Sequence, residues 1–396
     1  MNRVAIVGFG MADVLGFDPE TCWAKMLDDN DYSSEVPDLI DDEYCSVKRG
    51  AVIDYAELNK RFDDSFNRKE LRSMTNAQKL MLYTTDQALK MAGVDPHPDV
   101  AVIQSSVSND TEFLEGYYPA VYYQKNNNIR KAVNRIPDIG NHHICQRFGF
   151  RGMSTSTFAS CATGIVSIDY AMRIAEDYEY VVVGGADAGC FGMGIKYFTL
   201  LQATADKSMP FDDERTGFMM GDGAATLILM TEEKVKARGL KPIAWLYGAG
   251  GASDGADLTN PDGAGSVTAM EKAIKNVQLD QYPSCDAVCA HATSTPNGDP
   301  VEYKAIFDVF GQIPTWAPKS KIGHTLAAAG VIETVYSILA MKHEMIPHIQ
   351  NLKHCSFDEH LMLVTENTKL VSDKPRMINN SFGFGGKCMS QVVELA

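Results

Sequence analysis

The stretch ASCATGIVSIDYAMRIAEDYEYVVVGG, residues 159–185, decides the fold class. Apolar residues recur at helical spacing over residues 163–177, which predicts a helix. The β-branched run at residues 181–183, closed by Gly184, is typical of a strand that is buried on both faces of a sheet. A helix of this length followed by a buried strand is the repeating unit of an α/β fold.

The same two patterns recur on both sides of this stretch. Further helices are predicted over residues 75–92, with Gly93 as the stop, and over residues 325–342. Because strand signals start again near residue 240, we expect two α/β halves, residues 1–240 and 241–396. The other strand candidates are residues 4–8, 100–103, 224–229, 243–247, 287–290 and 377–380.

One stretch fits neither pattern. Residues 109–141 are polar and aromatic and lack a clear period. We expect an insertion here that serves as a lid or as a dimer surface.

Composition narrows the class of protein. The chain has 396 residues and a net charge of −15, which argues against a surface that wraps nucleic acid or an anionic bilayer. The nine cysteines are an odd number scattered over a long chain, which indicates a reducing compartment. No apolar run approaches the roughly 18 residues of a membrane span. We therefore expect a cytoplasmic protein with no nucleic-acid or membrane partner.

Cys161 is the first candidate for chemistry. It lies just before the predicted helix at residues 163–177, where the positive end of the helix dipole favours a thiolate. Free cysteines are commonly buried and inert, so this segment alone leaves a structural cysteine open.

A second polar segment begins at His291, at the end of a predicted strand. Asp299 and Glu302 follow it, and these groups exceed what a core histidine requires. Cys285 and Cys289 precede it, but three residues separate them and no fourth ligand lies nearby in the sequence, so we expect no metal site.

A third segment, KSKIGHTLAAAG at residues 319–330, carries His324 at a loop-to-helix boundary, with Lys319 before it and Glu333 in the following helix. A cysteine, two histidines, a lysine and carboxylates at element ends form a nucleophile with polar support. The glycine clusters at residues 8–13 and 383–388 lack the spacing of nucleotide-binding loops, so no nucleotide cofactor is predicted.

The order of these motifs resembles that of the elongating β-ketoacyl-acyl-carrier-protein synthases. That resemblance implies a thiolase-like fold, in which two similar α/β halves with mixed five-stranded sheets are layered α-β-α-β-α. Two departures stand out: Lys387-Cys388 replaces the usual Thr-Asn, and Asp187 stands where Glu is common. The motifs that carry the resemblance are residues 159–164, 210–224, 291–299, 319–330 and the glycine-rich gate at residues 380–386.

The resemblance also implies a reaction. Cys161 takes an acyl group from a carrier-protein thioester, and malonyl-carrier protein then loses carbon dioxide and attacks the acyl-cysteine. The backbone N–H groups of Cys161 and Phe384 stabilise the first oxyanion, and His291 and His324 act on the malonyl thioester. Lys319 orders these groups. No metal or other cofactor is implied.

The remaining site residues follow from the same resemblance. Lys319 is expected to pair with Glu333, or with the carboxylates of Asp299 and Glu302. Thr293 and Thr295 are expected to contact the phosphopantetheine arm, and Val107 lies near the acyl pocket. The residues expected to dock the acyl carrier protein are Arg68, Lys69, Arg130, Lys131 and Lys207.

Several assemblies and activities remain open. The growing chain is expected to be a fatty acid or a polyketide. We expect a dimer, either a homodimer or the catalytic half of a heterodimer with a chain-length-factor-like homologue in a specialised polyketide or polyene pathway. A non-catalytic chain-length partner would have no use for the retained Cys161 and both histidines. A priming synthase would carry Asn in place of His324, and a thiolase would need a second catalytic cysteine in a glycine pattern that Cys388 does not match.

Overall fold

The computed structural model describes residues 3–108, 138–255, 261–277, 285–357 and 361–396, together with residues 133, 136 and 257. The predicted insertion at residues 109–141 lies almost entirely outside the described residues; its end, from Ile139, opens a helix. Across the described ranges, no helix is both long enough and apolar enough to cross a membrane.

The predicted helices and strands form close to their expected bounds. The strands are β1 Val4–Asp13, β2 Ser34–Glu35, β3 Arg49–Gly50, β4 Val100–Ser105, β5 Ser154–Thr155, β6 Tyr180–Asp187, β7 Gly223–Thr231, β8 Ala244–Leu246, β9 Gly250–Ser253, β10 Ala287–Cys289, β11 Pro314–Trp316, β12 Met345–Ile346, β13 Met362–Leu363, β14 Thr368–Lys369, β15 Arg376–Gly383 and β16 Lys387–Leu395.

The helices follow from the apolar periodicity. They are α1 Pro19–Met26, α2 Tyr55–Arg61, α3 Arg68–Leu71, α4 Asn76–Ala92, α5 Ile139–Phe148, α6 Thr163–Ile174, α7 Gly192–Leu200, α8 Glu232–Ala237, α9 Ala264–Asn276, α10 Gly298–Phe310, α11 Lys319–Ile322 and α12 Ala329–Lys342, with 3-10 turns at Pro37–Leu39 and Leu326–Ala328. Helix α4 shows the local reasons for its bounds. Thr75 and Gln78 form a capping box at its start, and Gly93 ends it in the left-handed conformation (φ 62°).

The two halves repeat one strand arrangement. In the first, β1 and β7 are antiparallel, β7 and β6 are antiparallel, and β6, β4 and β5 are parallel. In the second, β8 and β9 pair antiparallel with β16, β16 pairs antiparallel with β15, and β15, β10 and β11 are parallel. Strand β8 also pairs with β1, so the two sheets are joined in one hydrogen-bonded path.

Helices separate and cover these sheets. Helices α4 and α5 cover the first sheet, α9 packs on β9 and β16 of the second, and α10 packs on α9. Helices α6 and α12 lie between the sheets, α6 against β6 and α12 against β7, β15 and β16. This confirms the predicted α/β halves and their five-layer order. The domain division at residues 240 and 241 stays a prediction.

Two glycines bring the central helices together. A Cβ on Gly164 would lie 2.9 Å from the carbonyl oxygen of Ala327, and a Cβ on Gly330 would lie 3.0 Å from the backbone nitrogen of Ile165. A Cβ at these distances from fixed backbone atoms would force the helices to shift, so glycine at both positions permits this approach. The starts of α6 and α12 therefore meet at the centre of the molecule, next to the predicted nucleophile and the second predicted histidine.

Candidate active site

Cys161 lies in a tight turn, residues 159–162, which we call the nucleophile turn. Ser160 has φ 51°, a strained conformation for a residue other than glycine. The Thr163 hydroxyl accepts a hydrogen bond from the Ala159 N–H (2.9 Å) and donates one to the Ser160 carbonyl (2.6 Å). These bonds hold the turn and place Cys161 just before helix α6.

The thiol is protonated at neutral pH. Burial raises the pKa of Cys161 to about 11, and the nearby Asp187 carboxylate adds to this rise. The Lys319 charge and the backbone N–H groups of Cys161 and Phe384 oppose it without reversing it. This rise in the pKa disagrees with the thiolate that the position before the helix predicts, and burial of the anion is its main cause.

The two predicted histidines come together from separate segments. Their ring centroids are 5.5 Å apart and nearly perpendicular. Burial, followed by the Lys319 charge, lowers the pKa of both rings well below 6.5, so both are neutral. Among the residues that the structure describes, neither ring nitrogen of His324 has a hydrogen-bond partner, nor has Nδ1 of His291. Both imidazoles thus retain hydrogen-bonding capacity for a ligand.

Lys319 pairs with Glu333, which settles one choice left open by the sequence. Their side chains form a direct ion pair and are each 1% exposed. Burial raises the pKa of Glu333 to about 7, and the Lys319 charge opposes that rise. The pair sets one buried positive charge beside the thiol and both imidazoles, which helps to keep the imidazoles neutral.

Glu302 and Asp299 accept hydrogen bonds from backbone N–H groups and do not pair with Lys319. Glu302 accepts hydrogen bonds from the backbone N–H groups of His291 (2.8 Å) and Ala292 (2.6 Å). Asp299 accepts one from the N–H of Phe211 (2.8 Å), and burial raises its pKa to about 7. Glu302 thereby fixes the turn that carries His291, and Asp299 ties the segment at residues 210–224 to it.

Cys161, both histidines and the carboxylates of Asp299 and Glu302 line one cavity of about 400 Å³. Thr293 and Thr295 line it, with their hydroxyl oxygens 3.2 Å apart. Its lining residues come from both halves and include Cys161, Ala203, Phe218, Asp254, Ser266, His291, Thr293, Thr295, Asn297, Asp299, Glu302, His324, Phe382, Phe384 and Cys388. A nucleophile, two neutral imidazoles and backbone donors in one cavity suit acyl chemistry that passes through oxyanions.

Comparison with known proteins supports this interpretation. The family model of the N-terminal domain of β-ketoacyl synthases matches residues 1–235, and that of the C-terminal domain matches residues 243–353. The chain belongs to the β-ketoacyl synthase family. The prediction of an elongating β-ketoacyl-acyl-carrier-protein synthase, an enzyme that forms carbon–carbon bonds between acyl groups, is confirmed at this level.

Relatives of this β-ketoacyl synthase are similar over their whole length. The mitochondrial 3-oxoacyl-[acyl-carrier-protein] synthase of Arabidopsis thaliana is 31% identical, over 97% of this chain and 91% of the relative. The 3-oxoacyl-[acyl-carrier-protein] synthase 2 of Rhizobium meliloti is 30% identical over 99% of both. The crystal structure of a β-ketoacyl synthase from Burkholderia phymatum has a TM-score of 0.88, with 26% identity over 100% of both chains.

Val107, the residue predicted to lie near the acyl pocket, is half-buried beside an apolar cluster. This residue and Phe384 pack on a buried apolar cluster that includes Cys190, Ile195 and Leu326. The carbonyl of Phe384 accepts a hydrogen bond from the Ser160 hydroxyl (3.3 Å). Val107 and Phe384 thus share one apolar cluster, and the contact of Val107 with an acyl chain stays a prediction.

Lys387, the unusual residue after the gate, bends back over it. Its ammonium donates to the carbonyl of Phe384 (3.4 Å). Its neighbour Cys388 lines the cavity. The carbonyl of Phe384, in the segment predicted to be the gate, therefore accepts from a charged donor that the usual Thr does not supply.

Sequence reasoning missed several residues that shape the site. Phe218 packs edge-on against His324 (5.0 Å between ring centroids), Phe382 lies 5.8 Å from His291, and Asn380 donates to Glu302 (3.1 Å). All three residues lie within the motifs that carry the family resemblance, and this position was the signal in the sequence that could have identified them. Their contacts depend on pairs of segments that the sequence does not bring together.

The predicted carrier-docking residues are placed only in part. Arg68, Lys69 and Lys207 are all exposed, and Arg68 also donates to the carbonyls of Phe62 (2.6 Å) and Asn59 (3.1 Å). Arg130 and Lys131 lie outside the described residues. Their role in docking stays a prediction.

Proposed function

We propose that this synthase condenses an acyl group on Cys161 with malonyl-acyl carrier protein and lengthens the acyl chain by two carbons. One observation carries the proposal: the Cys161 thiol, two neutral imidazoles and the N–H groups of Cys161 and Phe384 face a single cavity.

The first half-reaction is acyl transfer. The Cys161 sulfur attacks the thioester carbonyl of an acyl carrier protein, and the N–H groups of Cys161 and Phe384 stabilise the oxyanion. Collapse of the intermediate breaks the bond to pantetheine, and the proton of Cys161 ends on the pantetheine sulfur. Because the resting thiol is protonated, this proton moves during the attack and not before it.

The second half-reaction is decarboxylation and condensation. The malonyl thioester releases carbon dioxide, and the enolate oxygen accepts hydrogen bonds from His291 and His324. The enolate carbon attacks the acyl carbonyl on Cys161, and the tetrahedral intermediate expels the sulfur, which takes up a proton. Neutral imidazoles suit this task because each keeps one N–H donor. The steps balance with no oxidant, reductant or metal.

The supporting residues keep this arrangement. The ion pair of Lys319 and Glu333 and the backbone bonds of Glu302 orient the histidine segments without reacting. Thr293 and Thr295, with paired hydroxyls in the cavity, contact the phosphopantetheine arm. Exposed basic residues, among them Lys69 and Lys207, attract the acidic carrier protein at short range.

We also propose a dimer. Strand β5 lies at the end of the sheet path, and Phe158, three residues further along the chain, is 70% exposed. A strand edge beside an exposed aromatic residue is typical of a surface that pairs with a second chain. Light scattering on the purified chain tests this: a dimer of identical chains is expected, and a monomer that dimerises only with a homologous chain would favour the heterodimer.

The activity is tested on the full-length protein in two stages. Incubation with an acyl-carrier-protein thioester should add one acyl group, which peptide mass spectrometry places on Cys161. Addition of malonyl-carrier protein should then release carbon dioxide and a β-ketoacyl-carrier protein. Acylation without carbon dioxide release, or transfer of the acyl group only to water, would overturn the proposed condensation.

A further inference from the structure

Asp187 ends strand β6 at the centre of the molecule and is fully buried. Its carboxylate accepts four hydrogen bonds from two separate segments. Oδ1 accepts from the Ser106 hydroxyl (2.8 Å) and from the backbone N–H groups of Val107 (2.9 Å) and Ser108 (2.7 Å). Oδ2 accepts from the backbone N–H of Ala327 (2.6 Å). One carboxylate thus joins two segments about 220 positions apart in the chain.

The first segment, residues 106–108, carries Val107, the residue predicted to lie near the acyl pocket, and we call it the acyl loop. Val107 packs on the same apolar cluster as Phe384. Three donors converge on Oδ1, so the loop has little freedom to shift relative to β6. The position of Val107, and with it the acyl wall that this residue is predicted to form, depends on Asp187.

The second segment, residues 324–328, begins with His324 and ends where helix α12 starts. We call it the histidine turn. Leu326 has φ 48°, a strained conformation for a branched side chain. Such strain costs about 1–3 kcal/mol and persists only where the surroundings enforce it. The bond from Ala327 to Asp187 is one such restraint. Leu326 also packs in the cluster that Val107 and Phe384 contact.

We propose that Asp187 is a positioning residue that holds the acyl loop and the histidine turn in one arrangement, so that the acyl wall and His324 are set by the same carboxylate. This inference rests on the proposed condensation and adds a residue to it. Asp187 touches neither reacting group through a hydrogen bond; it acts on them through Val107 and Ala327.

The carboxylate also acts on the nucleophile through its charge. Asp187 raises the pKa of Cys161, second to burial among the causes that do so. Loss of that charge should therefore move the alkylation of Cys161 to lower pH. A role limited to packing would leave this pH profile where it is.

The test is Asp187→Asn in the full-length protein. The amide oxygen of the variant can keep the three acyl-loop donors, which leaves its NH₂ group against the Ala327 N–H, two donors face to face. We expect acylation of Cys161 to change less than threefold, whereas decarboxylation by the acylated enzyme falls about 10- to 100-fold, the usual effect of displacing a catalytic group by about 1 Å. Cys161 alkylation by iodoacetamide should shift to lower pH.

Two further variants keep the test decisive if Asp187→Asn folds poorly. Ser106→Ala removes one acyl-loop donor and should change acyl-chain preference more than decarboxylation. Asp212→Asn is the matched control, because Asp212 is also buried and accepts from backbone N–H groups, those of Lys353 (2.6 Å) and His354 (3.0 Å). It should leave the ratio of the two half-reactions at the wild-type value.

Equal losses of both half-reactions in Asp187→Asn and Asp212→Asn, with no shift in the alkylation profile, would overturn the inference and leave the proposed function intact. A wild-type protein that forms no acyl-Cys161 would overturn the proposed function and this inference with it. A selective loss of decarboxylation in Asp187→Asn supports both.

Discussion

The nucleophile turn and the histidine turn share one backbone arrangement. Each precedes a central helix, each contains a strained residue of positive φ (Ser160 at 51°, Leu326 at 48°), and each leads to a glycine that permits close approach, Gly164 or Gly330. The turns differ in what they carry. One presents a thiol and the other an imidazole.

Burial shifts the pKa values of the Cys161 thiol and the His324 imidazole in opposite directions, and both shifts favour the uncharged form. It raises the pKa of the Cys161 thiol to about 11 and lowers that of His324 well below 6.5, so both groups are uncharged at neutral pH. The ionisable groups close by include Lys319, Glu333 and Asp187, which are held by fixed partners. The comparison teaches that the same backbone arrangement can present either a thiol or an imidazole. The surrounding side chains then determine the chemistry of each group.

The largest expected difference between the turns appears in Cys161→Ala. This variant should lose acyl transfer and condensation entirely, because Cys161 is the thiol that lies at the start of helix α6 and faces both histidines across the cavity. Peptide mass spectrometry after incubation with acyl-carrier protein measures it, with Cys355→Ala as a cysteine control that keeps acylation. An acyl group found on Cys388 or Cys190 would contradict the assignment.

The histidine turn should show the complementary defect. His324→Ala, and likewise His291→Ala, should still become acylated on Cys161 but release carbon dioxide from malonyl-carrier protein about 10²-fold more slowly, since each removes one oxyanion donor. Radiolabelled carbon dioxide release measures this. The exposed His97 provides the control variant His97→Ala, which should match the wild type. Normal decarboxylation in both site variants would remove them from the mechanism.

The shared backbone design is tested by Gly164→Ala. A Cβ there would lie 2.9 Å from the Ala327 carbonyl oxygen and 3.0 Å from the Val331 nitrogen, so the central helices must move apart. We expect a loss of about 1–3 kcal/mol in the free energy of unfolding and slower rates for both half-reactions. Denaturant unfolding measures it.

Gly255→Ala is the matched control, because a Cβ on Gly255 meets no atom of the described chain within 4 Å. Its unfolding free energy should stay within about 0.5 kcal/mol of the wild type. If Gly164→Ala also left the free energy of unfolding unchanged, close packing of the two turns would not be needed for stability.

A smaller effect concerns pH. The unfolded chain protonates His324 below about pH 6.5, whereas the buried ring stays neutral, so the unfolded state binds more protons and stability falls as pH drops. His324→Gln lacks this group. Between pH 6.5 and 5.5 the wild type should therefore lose about 1 kcal/mol more unfolding free energy than the variant. Parallel pH profiles would show that His324 titrates normally in the fold.

The smallest expected effect is at the gate. Lys387→Thr combined with Cys388→Asn restores the residues usual in this family and removes the ammonium bond to the Phe384 carbonyl. We expect altered preference among acyl chain lengths, with little change on the best short substrate. The measurement is a competition assay over a panel of acyl-carrier proteins. Unchanged preference would make Lys387 a residue of the gate surface with no role in selection.

Local structure was predictable because its causes are local. The helix that starts at Asn76 follows from apolar spacing, a capping box and Gly93, all within one window of the sequence. The buried strands follow in the same way from short β-branched runs. The motifs around Cys161, His291 and His324 were identifiable for the same reason, since each occupies a few consecutive residues.

The partners of these groups were decided only by the tertiary structure. The sequence left Lys319 with three possible carboxylates, and the fold selected Glu333 by placing helix α12 beside α11. It also reversed the expected thiolate of Cys161, and it gave Asp187 donors from two distant segments. Periodicity and capping depend on neighbours along the chain, whereas desolvation and the geometry of buried hydrogen bonds depend on every segment that closes around a group.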